Sequence, residues 1–183
     1  MKKSIIGGLA GGLVLFMWQF LSWGPLNVHR SQMDYTPQQD KILKTLAELD
    51  LKEGEYFLPN LPIDASAEQF AEYQTNMINK PYATLRYGKA ATDTMGMNLF
   101  RGFIINFLSV FLLCYLLLGN PNLNFKIVLI SSLIVGLISY MTIPYLESIW
   151  FKTNSLPDLL DAVVQWGLAG LLLGWLLPEK RKA

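Results

Sequence analysis

The chain has 183 residues, of which 52% are hydrophobic and 16% charged, with a formal net charge of +1. That length allows one domain, or a membrane domain with a small appendage. A charge so near balance supplies no basic field to gather nucleic acid, and the single cysteine, Cys114, can form neither a disulfide framework nor a thiolate metal site within one chain. It reads as a small buried hydrophobe.

The first element is an uncharged run of twenty residues, 4–23, long enough to cross about 30 Å of hydrocarbon as a helix. Met1-Lys2-Lys3 resembles the charged start of a signal peptide, but no small-x-small cleavage site follows the run. Gly7 and Gly11 overlap with Gly8 and Gly12 as two Gly-x-x-x-Gly spacings, which permit close backbone approach between helices in lipid. They suit packing within this chain, a dimer interface, or a docking surface for another membrane subunit.

Residues 27–98 are polar but carry helix and strand signals. Thr36-Pro37 reads as an N-cap with proline at the first helical position, and Ile42, Leu43, Leu46 and Leu49 recur at helical spacing, which predicts a helix over 37–50. A short strand follows over 55–58, then a helix over 67–79 capped by Asp64 or Ser66, then a second strand over 82–87. The two strands are expected to pair as a ribbon under the helices. Two strands alone are marginal in water, so this small α+β cap should lean on the membrane helices or on a partner protein.

Three more apolar runs, 99–118, 127–145 and 158–177, complete a four-transmembrane-helix bundle, and residues 179–183 form a charged tail. Gly167, Gly170 and Gly174 place small residues along the last helix. With four spans, Lys2, Lys3, Lys126, Lys180, Arg181 and Lys182 share one side, which predicts cytoplasmic termini. The cap is then extracytoplasmic, with seven basic and ten acidic residues against six and one inside. Trp18, Trp23, Trp150, Trp166 and Trp175 are expected mostly near the interfaces.

Ionisable groups beside the spans are costly in lipid unless paired or wet, so they mark candidate function. His29, Arg101, Glu147, Asp158 and Asp161 all fall at the outer interface, and Gln165 extends the stripe four residues beyond Asp161. Arg101 and His29 are the natural partners of the two aspartates. The cluster is open to three readings: helix-dipole complementation with Arg101 snorkelling to headgroups, ion pairs with another subunit, or a polar pocket for a ligand or lipid headgroup. Asn106, Ser109, Ser131, Ser132 and Ser139 lie mid-span, where interhelical hydrogen bonding would account for them.

No carboxylate falls at the midplane and no serine has a G-x-S-x-G setting, so transport and serine catalysis are poorly supported. A lone His29 rules out most histidine metal sites, and no cofactor is expected. Trp18-Gln19-Phe20-Leu21-Ser22-Trp23, Gly54-Glu55-Tyr56-Phe57-Leu58-Pro59 and the helix from Asp158 to Gly170 together resemble a family of small bacterial inner-membrane proteins of uncharacterised activity. The resemblance implies topology and bacterial origin, and carries over no site. The functional expectation is a non-enzymatic accessory protein that binds other membrane or envelope proteins, or itself, in the lipid bilayer. The alternative is a lipid- or small-molecule-binding protein, perhaps a minor enzyme, working through the outer polar cluster.

Overall fold

A computed structural model describes residues 1–178; the predicted basic tail, with Lys180, Arg181 and Lys182, lies outside the described residues. In chain order the elements are α1 (Lys2–Trp23), a 3₁₀ turn (Val28–Gln32), α2 (Gln39–Glu48), β1 (Gly54–Leu58), α3 (Ala67–Met77) and β2 (Ala83–Tyr87). There follow α4 (Met95–Leu118), α5 (Phe125–Tyr140), a π segment (Met141–Tyr145), α6 (Leu146–Phe151) and α7 (Leu156–Leu176). The chain divides into two compact units, one made of Met1–Asp34 with the chain from Thr94 on, the other Tyr35–Asp93.

The first unit contains, among the described residues, four helices long and apolar enough to cross a membrane: α1, α4, the continuous Phe125–Phe151 helix and α7. The protein is a multi-pass membrane protein. Helices α1 and α7 form the middle pair, with α4 packed on α1 and α5 packed on α7. Glycine makes those seams close. A methyl group at Gly12 would lie 2.8 Å from the Phe107 backbone, and one at Gly7 would lie 2.6 Å from Cys114 Sγ. Gly8 and Gly11 face Phe111 and Val110 of the same helix, while Gly170 and Gly174 face Ser132 and Phe125 of α5. Gly167 meets Leu133 only at ordinary contact distance. The tightest approach in the α5–α7 seam is at Gly136, where a methyl would lie 2.6 Å from the Ala162 carbonyl oxygen. Around these seams Leu15, Val110, Leu113, Cys114, Val128, Trp166 and Leu173 form the core.

The third span continues past the predicted residue 145 to Phe151. Pro144 lacks an N–H and would break an α-helix, but here it sits inside the π segment, whose wider turn accommodates it. Hydroxyls supply local bonds around it: Thr142 donates to the Ile138 carbonyl at 2.7 Å and Ser148 to that of Tyr145 at 2.6 Å. The tryptophans divide. Trp23, Trp150 and Trp175 are exposed, whereas Trp166 is buried against Gly136 and Trp18 is turned inward.

In the second unit, β1 and β2 pair antiparallel with Tyr56 opposite Leu85. Helix α3 begins with a capping box: Ser66 Oγ accepts from the Gln69 N–H at 3.3 Å, and Gln69 Oε1 accepts from the Ser66 N–H at 2.8 Å. This selects Ser66 over Asp64 as the cap. Thr36 is not the cap of α2, because the helix opens two residues later and Thr36 Oγ1 instead accepts from the Gln38 N–H in the preceding turn. No residue of 35–93 is buried, so neither helix seals the ribbon as predicted. The Tyr73 hydroxyl reaches the Pro59 carbonyl at 2.8 Å, but ten- and eleven-residue helices on two five-residue strands provide too little surface for a core.

Candidate functional site

The polar residues of the membrane unit converge where α1 ends. After Trp23, the Gly24 and Leu26 N–H groups bond back to Phe20 and Leu21, and Asn27 adopts a left-handed conformation (φ 49°). The chain reverses, and the 3₁₀ turn lays the His29 ring flat on Trp23, 3.9 Å between centroids and 6° from parallel. His29 is only 4% exposed.

Its partner is Asp161, one turn into α7 and 8% exposed. Oδ2 lies 2.9 Å from His29 Nε2, and Oδ1 accepts from Trp18 Nε1 at 2.9 Å and from Ser22 Oγ at 2.6 Å. Trp18 and Ser22 are one helical turn apart, so α1 presents both donors together. A buried carboxylate is tolerable only when paired and fully hydrogen-bonded, and Asp161 meets both conditions. On the far side of the ring, His29 Nδ1 lies 2.6 Å from Gln32 Oε1, and Gln32 Nε2 donates to Asp158 Oδ2 at 2.6 Å and to the Asn154 carbonyl at 2.8 Å.

A second network lies deeper. Gln19 Nε2 donates to Gln165 Oε1 at 3.1 Å and to Asn106 Oδ1 at 3.2 Å, and Asn106 Nδ2 returns a bond to Gln19 Oε1 at 2.8 Å. These amides tie α7, α1 and α4 together. Asn106 is therefore bonded between helices, whereas Ser109, Ser132 and Ser139 bond backbone carbonyls of their own helices. Hydroxyls reach a carbonyl three or four residues back more readily than a neighbouring helix.

His29, Asp158, Asp161 and Gln165 share one cavity of about 190 Å³, with Tyr140 and Pro144 opposite. The π segment helps shape that wall, so the irregular turn and the polar cluster form one feature. Arg101 stands elsewhere: it is exposed in a separate groove with Asn98, Asn106 and Gln19. Helix α4 packs on α1 rather than on α7, which takes Arg101 away from Asp161. Glu147 is exposed on α6. Trp18, Gln19, Ser22 and Gln32 belong to the network although sequence reasoning did not place them in the polar cluster; the spacing of Trp18, Gln19 and Ser22 at one end of an apolar run was the available signal.

The geometry limits the chemistry. In a Ser-His-Asp triad the imidazole stands between nucleophile and carboxylate, but here Asp161 stands between Ser22 and His29. Ser22 is completely buried and its proton points to a carboxylate, which does not prepare it to attack a substrate. Among the described residues no group of histidine, cysteine and carboxylates has metal-binding geometry. What the site does offer is a paired proton donor and acceptor beside a small polar cavity.

Fold and site together define a multi-pass membrane protein with a buried histidine–aspartate pair at one end of its helices. Comparisons with protein-family models, with curated proteins and with solved structures return no match for this chain.

Proposed function

We propose that the protein is an accessory component of a bacterial inner membrane, with cytoplasmic termini, holding residues 27–98 outside the cytoplasm to bind another membrane or envelope protein. The observation that carries the reading is the uncovered state of the second unit. Its 59 residues, Tyr35–Asp93, include no buried one, while Leu43, Ile63, Phe70 and Ile78 are each more than half exposed. Apolar surface of that kind is stabilised by a covering partner, at about 25 cal/mol per Å² removed from water. The glycine seams favour the cap over the bundle as the contact, since the close approaches at Gly7, Gly12, Gly136 and Gly170 are already occupied by this chain's own helices.

The test is a photo-crosslinking residue placed at Phe70 or Ile78 in living cells. A discrete adduct to one protein, absent when the same residue replaces Thr45, next to Lys44, supports the reading. A chain that crosslinks to nothing, and whose 35–93 segment can be replaced by a flexible linker without phenotype, overturns it.

A second reading is favoured by the cavity beside His29 and Asp161: a small polar molecule or lipid headgroup held against Asp158 and Gln165. Asp161→Asn keeps the shape and removes the charge. Unchanged assembly and unchanged cell phenotype in that variant would count against this reading.

A further inference from the structure

His29 is the one histidine in the sequence, and both its ring nitrogens face acceptors. Nε2 lies 2.9 Å from Asp161 Oδ2 and Nδ1 lies 2.6 Å from Gln32 Oε1. The Gln32 amide cannot be turned round to offer a donor instead. Its Nε2 already donates to the Asn154 carbonyl at 2.8 Å and to Asp158 Oδ2 at 2.6 Å, and a reversed amide would set oxygen against both. Nδ1 therefore carries a proton. A second proton must lie between Nε2 and Asp161 Oδ2, on one atom or the other. A neutral imidazole beside an ionised carboxylate brings one proton for these two bonds, so the closed geometry holds one more.

We infer that the His29–Asp161 pair is a proton-operated latch on the 28–32 turn. Gln32, and with it the far end of the turn, is fastened to the start of α7 while the pair keeps its extra proton, and is released when that proton passes to water. With Nε2–H retained by Asp161, the lost proton is the one on Nδ1. Two lone pairs then face each other at 2.6 Å, and Gln32 must rotate away. That rotation breaks its bonds to Asn154 and Asp158. The Asn154 Nδ2 bond to Ser31 Oγ, 3.1 Å and exposed, and the retained bond from His29 Nε2 to Asp161 Oδ2 are then the remaining ties.

The sign follows from proton counting. The closed turn binds one proton more than the released turn, so falling pH favours closure and rising pH favours release. Besides Asp161, the titratable groups facing the pair are Asp158 on α7, through Gln32, and Tyr140 on α5, whose hydroxyl is bonded to Ser155 across the cavity. From α1 the pair meets Trp18, Ser22 and Trp23. The turn is the covalent connection from α1 toward residues 35–93, so the latch sets how firmly that connection is held. This inference stands on the membrane unit alone and does not depend on a partner for the cap.

A sole histidine makes the test direct. The full chain, ¹⁵N-labelled at histidine and reconstituted in nanodiscs, reports ring protonation by NMR. A spin label on Met33→Cys, in a Cys114→Ser background, reports the mobility of the turn's end. The expected result is an immobilised label wherever Nδ1 is protonated, with the immobilised component lost in step with deprotonation of Nδ1. Gln32→Leu should uncouple the two, leaving label mobility independent of the ring, and His29→Gln should remove the pH dependence. A ring deprotonated at Nδ1 with the label still immobile would overturn the latch even if neither variant folds. So would a ring that stays protonated up to the alkaline limit of folding.

Discussion

The two units of this chain meet opposite difficulties. Residues 1–34 and 94–178 bury polar groups and surround each with partners: no buried side-chain nitrogen or oxygen among the described residues lacks a hydrogen bond. Residues 35–93 leave apolar side chains uncovered and bury nothing. In the first unit the helices are long, glycine lets their backbones touch, and an internal network becomes affordable. In the second, short elements have nothing large enough to pack against. Packing in the membrane unit is therefore supplied by its own helices, while residues 35–93 form no buried core of their own.

The sharpest way to break this contrast is Asp161→Ala. It leaves His29, Trp18 and Ser22 without their acceptor, and breaking a buried pair from one side costs about 3–5 kcal/mol. Thermal unfolding in detergent should show that loss in the membrane unit, whereas Asp158→Ala, removing one exposed-side acceptor of Gln32, should cost much less. Next in size is Gly12→Val. Its Cβ would fall 2.8 Å from the Phe107 backbone, and overpacking of this kind costs about 1–3 kcal/mol. Gly102→Ala, facing open space on the same α4, is the matched control and should not destabilise.

Gln19→Leu sharpens the comparison further by removing three interhelical bonds while adding apolar volume. Hydrogen bonds between membrane helices average about 0.6 kcal/mol, so a shift of about 1–2 kcal/mol in the same unfolding assay is expected. The smallest effect belongs to the cap. Ser66→Ala removes both the N-cap and the hydroxyl that bonds Glu68 Oε2 at 2.8 Å, at a cost of about 1 kcal/mol to α3 and none to the membrane unit. Glu68 titrates below its ordinary range, first because of that Ser66 bond and second because of a backbone bond. A lowered carboxylate contributes stability above its unfolded titration range and loses it as pH falls through the folded one. NMR titration should show Glu68 moving upward in Ser66→Ala, and a Glu68 that stays in place would assign its shift to the backbone bond instead.

Helix content and the apolar spans could be read from local sequence, because crossing a bilayer requires only length and the absence of charge over about twenty consecutive residues. The same holds for the capping box, whose two residues are three apart. Asp161 was recognisable as an unusual group for a related reason: a carboxylate next to an apolar run is costly wherever the run packs. Its partners were not. His29 lies 132 residues away and Trp18 143, and a cost in lipid says that a charge needs a partner without saying which one. Arg101 has the charge to serve, yet the placement of α1 between α4 and α7, together with the reversal at Asn27, brought His29 to Asp161 and left Arg101 in another groove. Helix order and turn geometry are decided by packing between distant segments. Composition along one segment determines that a helix forms, and the fit of glycine seams determines which side chains then meet.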